Sequence, residues 1–199
     1  MLDAGLGLHH VDAQQGGDDF LTLRRVSPSV AKLFGERLYL RGAYVRTDKD
    51  LRNDAGRSAV NDGFSAGAFL FLDGPTRYVA FGWTTADEDA ANDDFDYDGD
   101  RLKLMYAQRL EWPAAAVELK SRLELERRDY RQVLASASLL AADSRQRSDE
   151  RLRATLQMDV PVNDWLTVES AVEYASNASN LASADFDETR YSVRLAAAF

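Results

Sequence analysis

Three groups of residues have types and spacing that suit chemistry. The largest recurs at every second position in the C-terminal half. Lys103 and Arg109 are followed by Glu118, Lys120, Arg122 and Glu124, then by Arg151 and Arg153, then by Glu169 and Glu173, and last by Arg190 and Arg194. Glu111, Glu126 and Asp159 belong to the same alternation. Positive and negative charges are nearly balanced, so they either pair into a salt-bridged filling or line a passage for small ions. The second group is the acidic stretch 87–100. Within it, Asp94, Asp96, Asp98 and Gly99 match the opening of a calcium loop, in which alternate carboxylates converge on one cation. The twelfth position of such a loop takes a bidentate Glu, and here it is Met105. The expectation is therefore a solvated acidic loop, with at most a weakly held calcium or magnesium ion and no other cofactor. The third group is His9 and His10. Neighbours in a strand point to opposite faces, so only one imidazole looks inward. No Gly-x-Ser-x-Gly elbow accompanies them, and no enzymatic activity is expected.

The elements that carry these residues read as strands. On the face opposite the charges lie Leu102, Leu104, Tyr106 and Leu110, then Val117, Leu119, Leu123 and Leu125, then Leu152, Ala154, Leu156, Met158 and Val160, then Leu166, Val168, Val172 and Tyr174. A period of two is strand spacing, whereas an amphipathic helix repeats at three and four residues. Residues 114–130 have a helix-favouring composition, yet their strict alternation predicts a strand. Ten such segments fit the chain: 2–12, 19–33, 36–48, 62–73, 76–87, 100–112, 114–130, 148–160, 165–176 and 186–199. Their connections alternate in length. Gly35, Asp73-Gly74-Pro75, Trp112-Pro113 and 161–164 mark tight turns, and long polar stretches lie between them. Pro28 interrupts the second segment, which predicts a bulge or an unpaired edge there.

The 199 residues suffice for one domain, taken as 1–199. No apolar run reaches 18 residues, so no transmembrane helix is available. A net charge of −9 argues against nucleic acid as a partner. The absence of cysteine constrains the compartment little.

The last strand adds the most specific signal. Tyr191, Val193, Leu195, Ala197 and Phe199 alternate with Ser192 and Arg194, and the chain ends on the aromatic ring. This resembles the closing strand of bacterial outer-membrane β-barrels, in which Tyr191, Val193, Leu195 and Phe199 would form the signal read by the barrel-assembly machinery. The resemblance implies an all-β, antiparallel, up-and-down transmembrane barrel of about ten strands, with short periplasmic turns and long extracellular loops. It implies the outer membrane of a Gram-negative bacterium, a mature or trimmed chain, and lipids and lipopolysaccharide as partners. Aromatics near strand ends, including Tyr39, Tyr44, Tyr78, Trp83, Trp112, Tyr130, Trp165 and Tyr174, would then form a headgroup girdle. The expected function is a porin-like narrow channel or a structural barrel with an Arg/Glu lumen. One alternative is the barrel portion of an export or surface-assembly protein, whose last hairpins are similar to 161–199, so that the chain would be part of a larger barrel. Another is a soluble ligand-binding barrel, with apolar residues inside and charges outside.

Overall fold

A computed structural model describes residues 2–15, 18–112, 115–133 and 146–197. The described residues form one antiparallel sheet of ten strands in sequence order. The strands are β1 (Leu2–Gln15), β2 (Asp18–Phe34), β3 (Leu38–Leu51), β4 (Ala59–Asp73), β5 (Arg77–Ala90), β6 (Tyr97–Trp112), β7 (Ala115–Val133), β8 (Gln146–Asn163), β9 (Leu166–Ser179) and β10 (Phe186–Ala197). Among the described residues, helix is confined to single 3-10 turns at Ala55–Arg57, Asp93–Phe95 and Ala182–Ala184, each in a long connection. None of these is long or apolar enough to cross a membrane, which leaves crossing by strands open. Among the described residues β1 and β10 do not pair with each other, so each has one edge without a strand beside it.

The short turns follow their local chemistry. Gly35 and Gly74 have φ of 58° and 54°, a region that residues with a Cβ avoid. The β8–β9 turn is closed by Asn163, whose Oδ1 accepts from the backbone N–H groups of Trp165 and Leu166 at 3.0 and 2.8 Å. At the opposite end the strands run beyond the predicted limits. β6 begins at Tyr97 and β5 continues to Ala90, because Asp87 pairs with Asp98 and Glu88 with Tyr97 in register. Residues 115–130 are strand throughout, as their alternation requires.

Pro28 makes no bulge. It stands opposite Leu6 in a β1–β2 register that is continuous from Leu2 to Ala13 and shifts only between Ala13 and Gln14, and the β2–β3 register is the same on either side of it, Val26 opposite Arg46 and Ser29 opposite Ala43. The missing N–H leaves a gap in one ladder and does not displace the strand.

Paired residues share a face, so the registers assign every strand position to one of two faces. One face carries Leu2, Leu6, Leu8, Val30, Leu40, Phe64, Phe81, Leu102, Leu123, Leu156, Val172 and Tyr191 and is called the apolar face. The other carries the predicted charged residues and is called the polar face.

Candidate functional site

The buried side chains lie on the polar face. Ala31, Val45, Ala80, Tyr97, Ala107, Tyr130, Asp149, Ala175 and Asn177 are all buried, and the registers put each of them there. Leu8, Val30, Phe64, Leu104, Leu156 and Tyr191 on the apolar face are all exposed. The described residues include no second layer, so burial of one face alone reflects the sheet curving inward on that side. The charged side is concave and the greasy side convex.

The predicted charged residues all fall on this concave face, and the registers arrange them in rows of mixed sign. One row runs Arg109, Glu118, Asp159, Glu169, Arg194, and another runs Lys103, Glu124, Arg153. Ion pairs form both across strands and between next-but-one residues of a strand. Lys120 Nζ contacts Asp159 Oδ2 at 3.0 Å and Glu118 Oε2 at 3.1 Å. Arg153 meets Glu173 at 3.6 Å, Arg194 meets Glu169 at 3.5 Å, Arg190 meets Glu188 at 2.8 Å, and Arg109 meets Glu111 at 3.8 Å. Lys103, Arg122 and Glu124 make no ion pair among the described residues.

At the long-loop end the concave face is stitched by a collar that reaches from β3 to β9. Glu88 takes Lys49 at 2.7 Å, Asn61 at 3.3 Å and the Tyr97 hydroxyl at 3.2 Å. The Arg128 guanidinium lies over the Tyr97 ring, and Arg147 lies over Tyr130, whose ring packs on Tyr97. Glu126 joins Arg128 to Arg101 at 2.7 and 3.0 Å. Asp149 is 0% exposed, held bidentately by Arg147 at 3.0 and 2.6 Å and by the Ser179 hydroxyl at 2.6 Å. Asn177 accepts from Arg151 Nε at 2.9 Å and donates to the Ala184 carbonyl at 2.6 Å. Full hydrogen bonding is what makes such buried polar groups tolerable.

No protein-family model, curated protein or solved structure matches this chain. Geometry alone therefore bears on what the face does.

Several residues are placed otherwise than expected. Asp94, Asp96 and Asp98 do not converge on a point. The Asp94 N–H is taken by Asn92, Asp96 Oδ1 accepts from the Ala90 N–H at 2.7 Å, and Asp98 is engaged by Arg131 at 3.1 Å. No group of three or more potential metal-ligating side chains occurs among the described residues. Three members of the expected aromatic girdle, Tyr39, Tyr78 and Tyr130, are on the concave face instead. Tyr39, Phe69, Phe71 and Tyr78 pack there near the short turns in T-shaped and tilted pairs, with centroids 5.9 to 6.2 Å apart. Tyr44, Trp83, Tyr174 and Tyr191 do lie on the apolar face. Tyr191, Val193 and Leu195 form one exposed stripe on β10, while Phe199 and the Trp112 side chain lie outside the described residues. His10 and Asp12 share the apolar face, with Nε2 and Oδ2 2.8 Å apart, and Thr22 donates its hydroxyl to Asp12 at 2.9 Å. The hydroxyl therefore points at the carboxylate and not at the imidazole, which is not a nucleophile–base arrangement.

Residues of the N-terminal half that reach the concave face, among them Arg25, Arg41, Lys49 and Glu88, escaped the sequence reading. Their strands alternate less cleanly, because Gly5, Gly7, Ser27, Ser29, Gly67 and Gly82 occupy the same face without revealing its polarity.

Proposed function

We propose that this protein is an integral outer-membrane β-barrel whose convex face meets lipid and whose concave face lines a narrow lumen for small ions. One observation carries the reading. The apolar face forms a belt across all ten strands, and charges enter it only near its ends. On β6 the belt runs from Leu102 to Leu110, the nine positions 102–110, which matches the roughly 9–11 residues of a tilted membrane-crossing strand. Above it stand Arg46, Asp62, Asp87, Asp98, Arg127 and Glu150, and Lys32 and Arg77 are the cations toward its lower end. A soluble ligand-binding barrel would have the reverse arrangement, with apolar side chains buried and charges exposed.

Closure of β1 on β10 is part of this proposal, as are lipid and lipopolysaccharide contacts and assembly through the β10 stripe. The free edges of β1 and β10 support a second reading, in which the chain contributes ten strands to a larger barrel.

Refolding into detergent and then into a planar bilayer tests the function. The expected outcome is a heat-modifiable species on gels that conducts in discrete steps. A chain that stays monodisperse in buffer without detergent would overturn the membrane reading. A heat-modifiable barrel that is electrically silent would overturn the channel and leave a structural barrel filled by its ion pairs.

A further inference from the structure

Most cations of the concave face have a carboxylate within ion-pair distance, so the exceptions stand out. Arg25, Arg41, Lys103 and Arg122 have no ion pair or side-chain hydrogen bond among the described residues. Three of them, Arg25, Arg41 and Lys103, line one cavity of about 240 Å³ on the concave side of β2–β6. No Asp or Glu lines it. Its floor is small: Arg41, Gly67, Gly82 and Lys103 occupy a single row, so two glycines separate the cations and no side chain rises between them. A Cβ at Gly67 would meet the Phe81 carbonyl oxygen at 3.8 Å, an ordinary contact distance, so the floor is not tightly packed there. Glu124 stands opposite Lys103 in register and makes no ion pair with it.

Three unneutralised cations around an open, carboxylate-free hollow create a positive potential, and low-dielectric walls concentrate it. The rest of the lining is apolar residues and glycines with the neutral hydroxyls of Ser27 and Ser65, so no anionic group in the hollow competes for the cations. Arginine guanidinium groups offer paired N–H donors suited to tetrahedral or planar oxyanions. From this we infer that the concave face binds a small oxyanion, of the class of inorganic phosphate, between Arg25, Arg41 and Lys103. The inference deepens the lumen reading and rests on it: the lumen holds anions at mid-height, below the collar of paired charges.

The test uses the full chain refolded in uncharged detergent, with inorganic phosphate as probe and its ³¹P line width as readout. Heat-modifiable gel migration establishes folding for every sample. Wild-type barrel is expected to broaden the phosphate line. R41Q should weaken binding by about tenfold, the loss of one charge-assisted hydrogen bond. The triple variant R25Q/R41Q/K103Q should return the line to its free width. None of the three side chains makes an ion pair or side-chain hydrogen bond among the described residues, so the variants are expected to fold, and K103Q alone serves as a second graded probe. R190Q, which removes a cation paired to Glu188, should leave binding unchanged. Folded wild type that leaves the line sharp, or equal broadening by the triple variant, would overturn the site. A wild type without heat-modifiable migration would instead sink the barrel itself, and the site with it.

Discussion

Asp149 shows how single residues hold the loop end of this sheet together. Taking a carboxylate fully out of water raises its pKa, but Arg147, Ser179 and Arg151 oppose that, and the balance holds Asp149 below the ordinary carboxylate range. It lies above the apolar belt, in the part of β8 level with Arg127 and Glu150 on the other face. A carboxylate whose folded pKa is depressed contributes stability that is fully present above its unfolded value. That stability is lost as pH falls through the folded value. Acidification below about pH 4 should therefore loosen the β7–β9 collar before it affects the belt, read as protease cleavage at the long-loop end while the strands of the apolar belt stay protected. Asp149→Asn keeps the shape but leaves the Arg147 charge unmatched. It should lower the unfolding free energy by about 3 kcal/mol, measured by urea titration at neutral pH, and should remove the acid-dependent step. Retention of that step in Asp149→Asn would assign it to another carboxylate.

At the scale of elements, the two faces of a strand have different work. On β8, Leu156 and Arg153 are close along one strand and point to opposite sides. Leu156→Arg places a charge in the middle of the belt and should cost about 2–4 kcal/mol, whereas Arg153→Ala, on the concave side, removes only a half-solvated pair to Glu173 and should cost less than about 1 kcal/mol. Refolding yield into lipid vesicles and urea midpoints compare them, and equal tolerance at the two positions would reverse the assignment of lipid face and lumen. All ten strands were legible in the sequence, because a period of two survives wherever one face is apolar. Their upper ends were not, since Glu88–Ala90 and Tyr97–Gly99 are held by register and by the Glu88 and Tyr97 contacts and not by alternating hydropathy. The charged residues of β6–β10 could be assigned to one face from spacing alone. Which side was concave could not, because alternation is symmetric to the choice and only burial breaks the tie. Arg25 and Arg41 were missed for a related reason: their neighbours on that face are Gly, Ser and Ala, which mark neither side.

For the whole molecule the open question is how the free edges of β1 and β10 are satisfied, since unpaired strand edges are tolerated neither in lipid nor, when long and apolar, in water. The registers constrain the answer. Followed from strand to strand, the row that starts at Leu2 passes Lys32, Leu40, Ala68, Phe81, Leu104, Leu123, Ala154 and Tyr174 and arrives at Thr189, near the upper end of β10. Closing the sheet with the lower ends of β1 and β10 side by side requires the row to return to β1 well above its start. A stagger of about 10 to 12 residues over ten strands corresponds to a tilt of about 35 to 40°, from ~3.3 Å rise and ~4.8 Å strand spacing, within the usual range for closed barrels. The apolar faces then match, and Val193 falls beside Leu8 or His10. The chain has no cysteine, so double substitutions report on this directly. Val193→Cys with Leu8→Cys or His10→Cys should cross-link within one chain after refolding in lipid, while Val193→Cys with Leu2→Cys should not. Cross-links that join two chains would show the edges meeting another copy, as a larger barrel requires, and the ten strands would then be a segment of its wall and not a barrel complete in themselves.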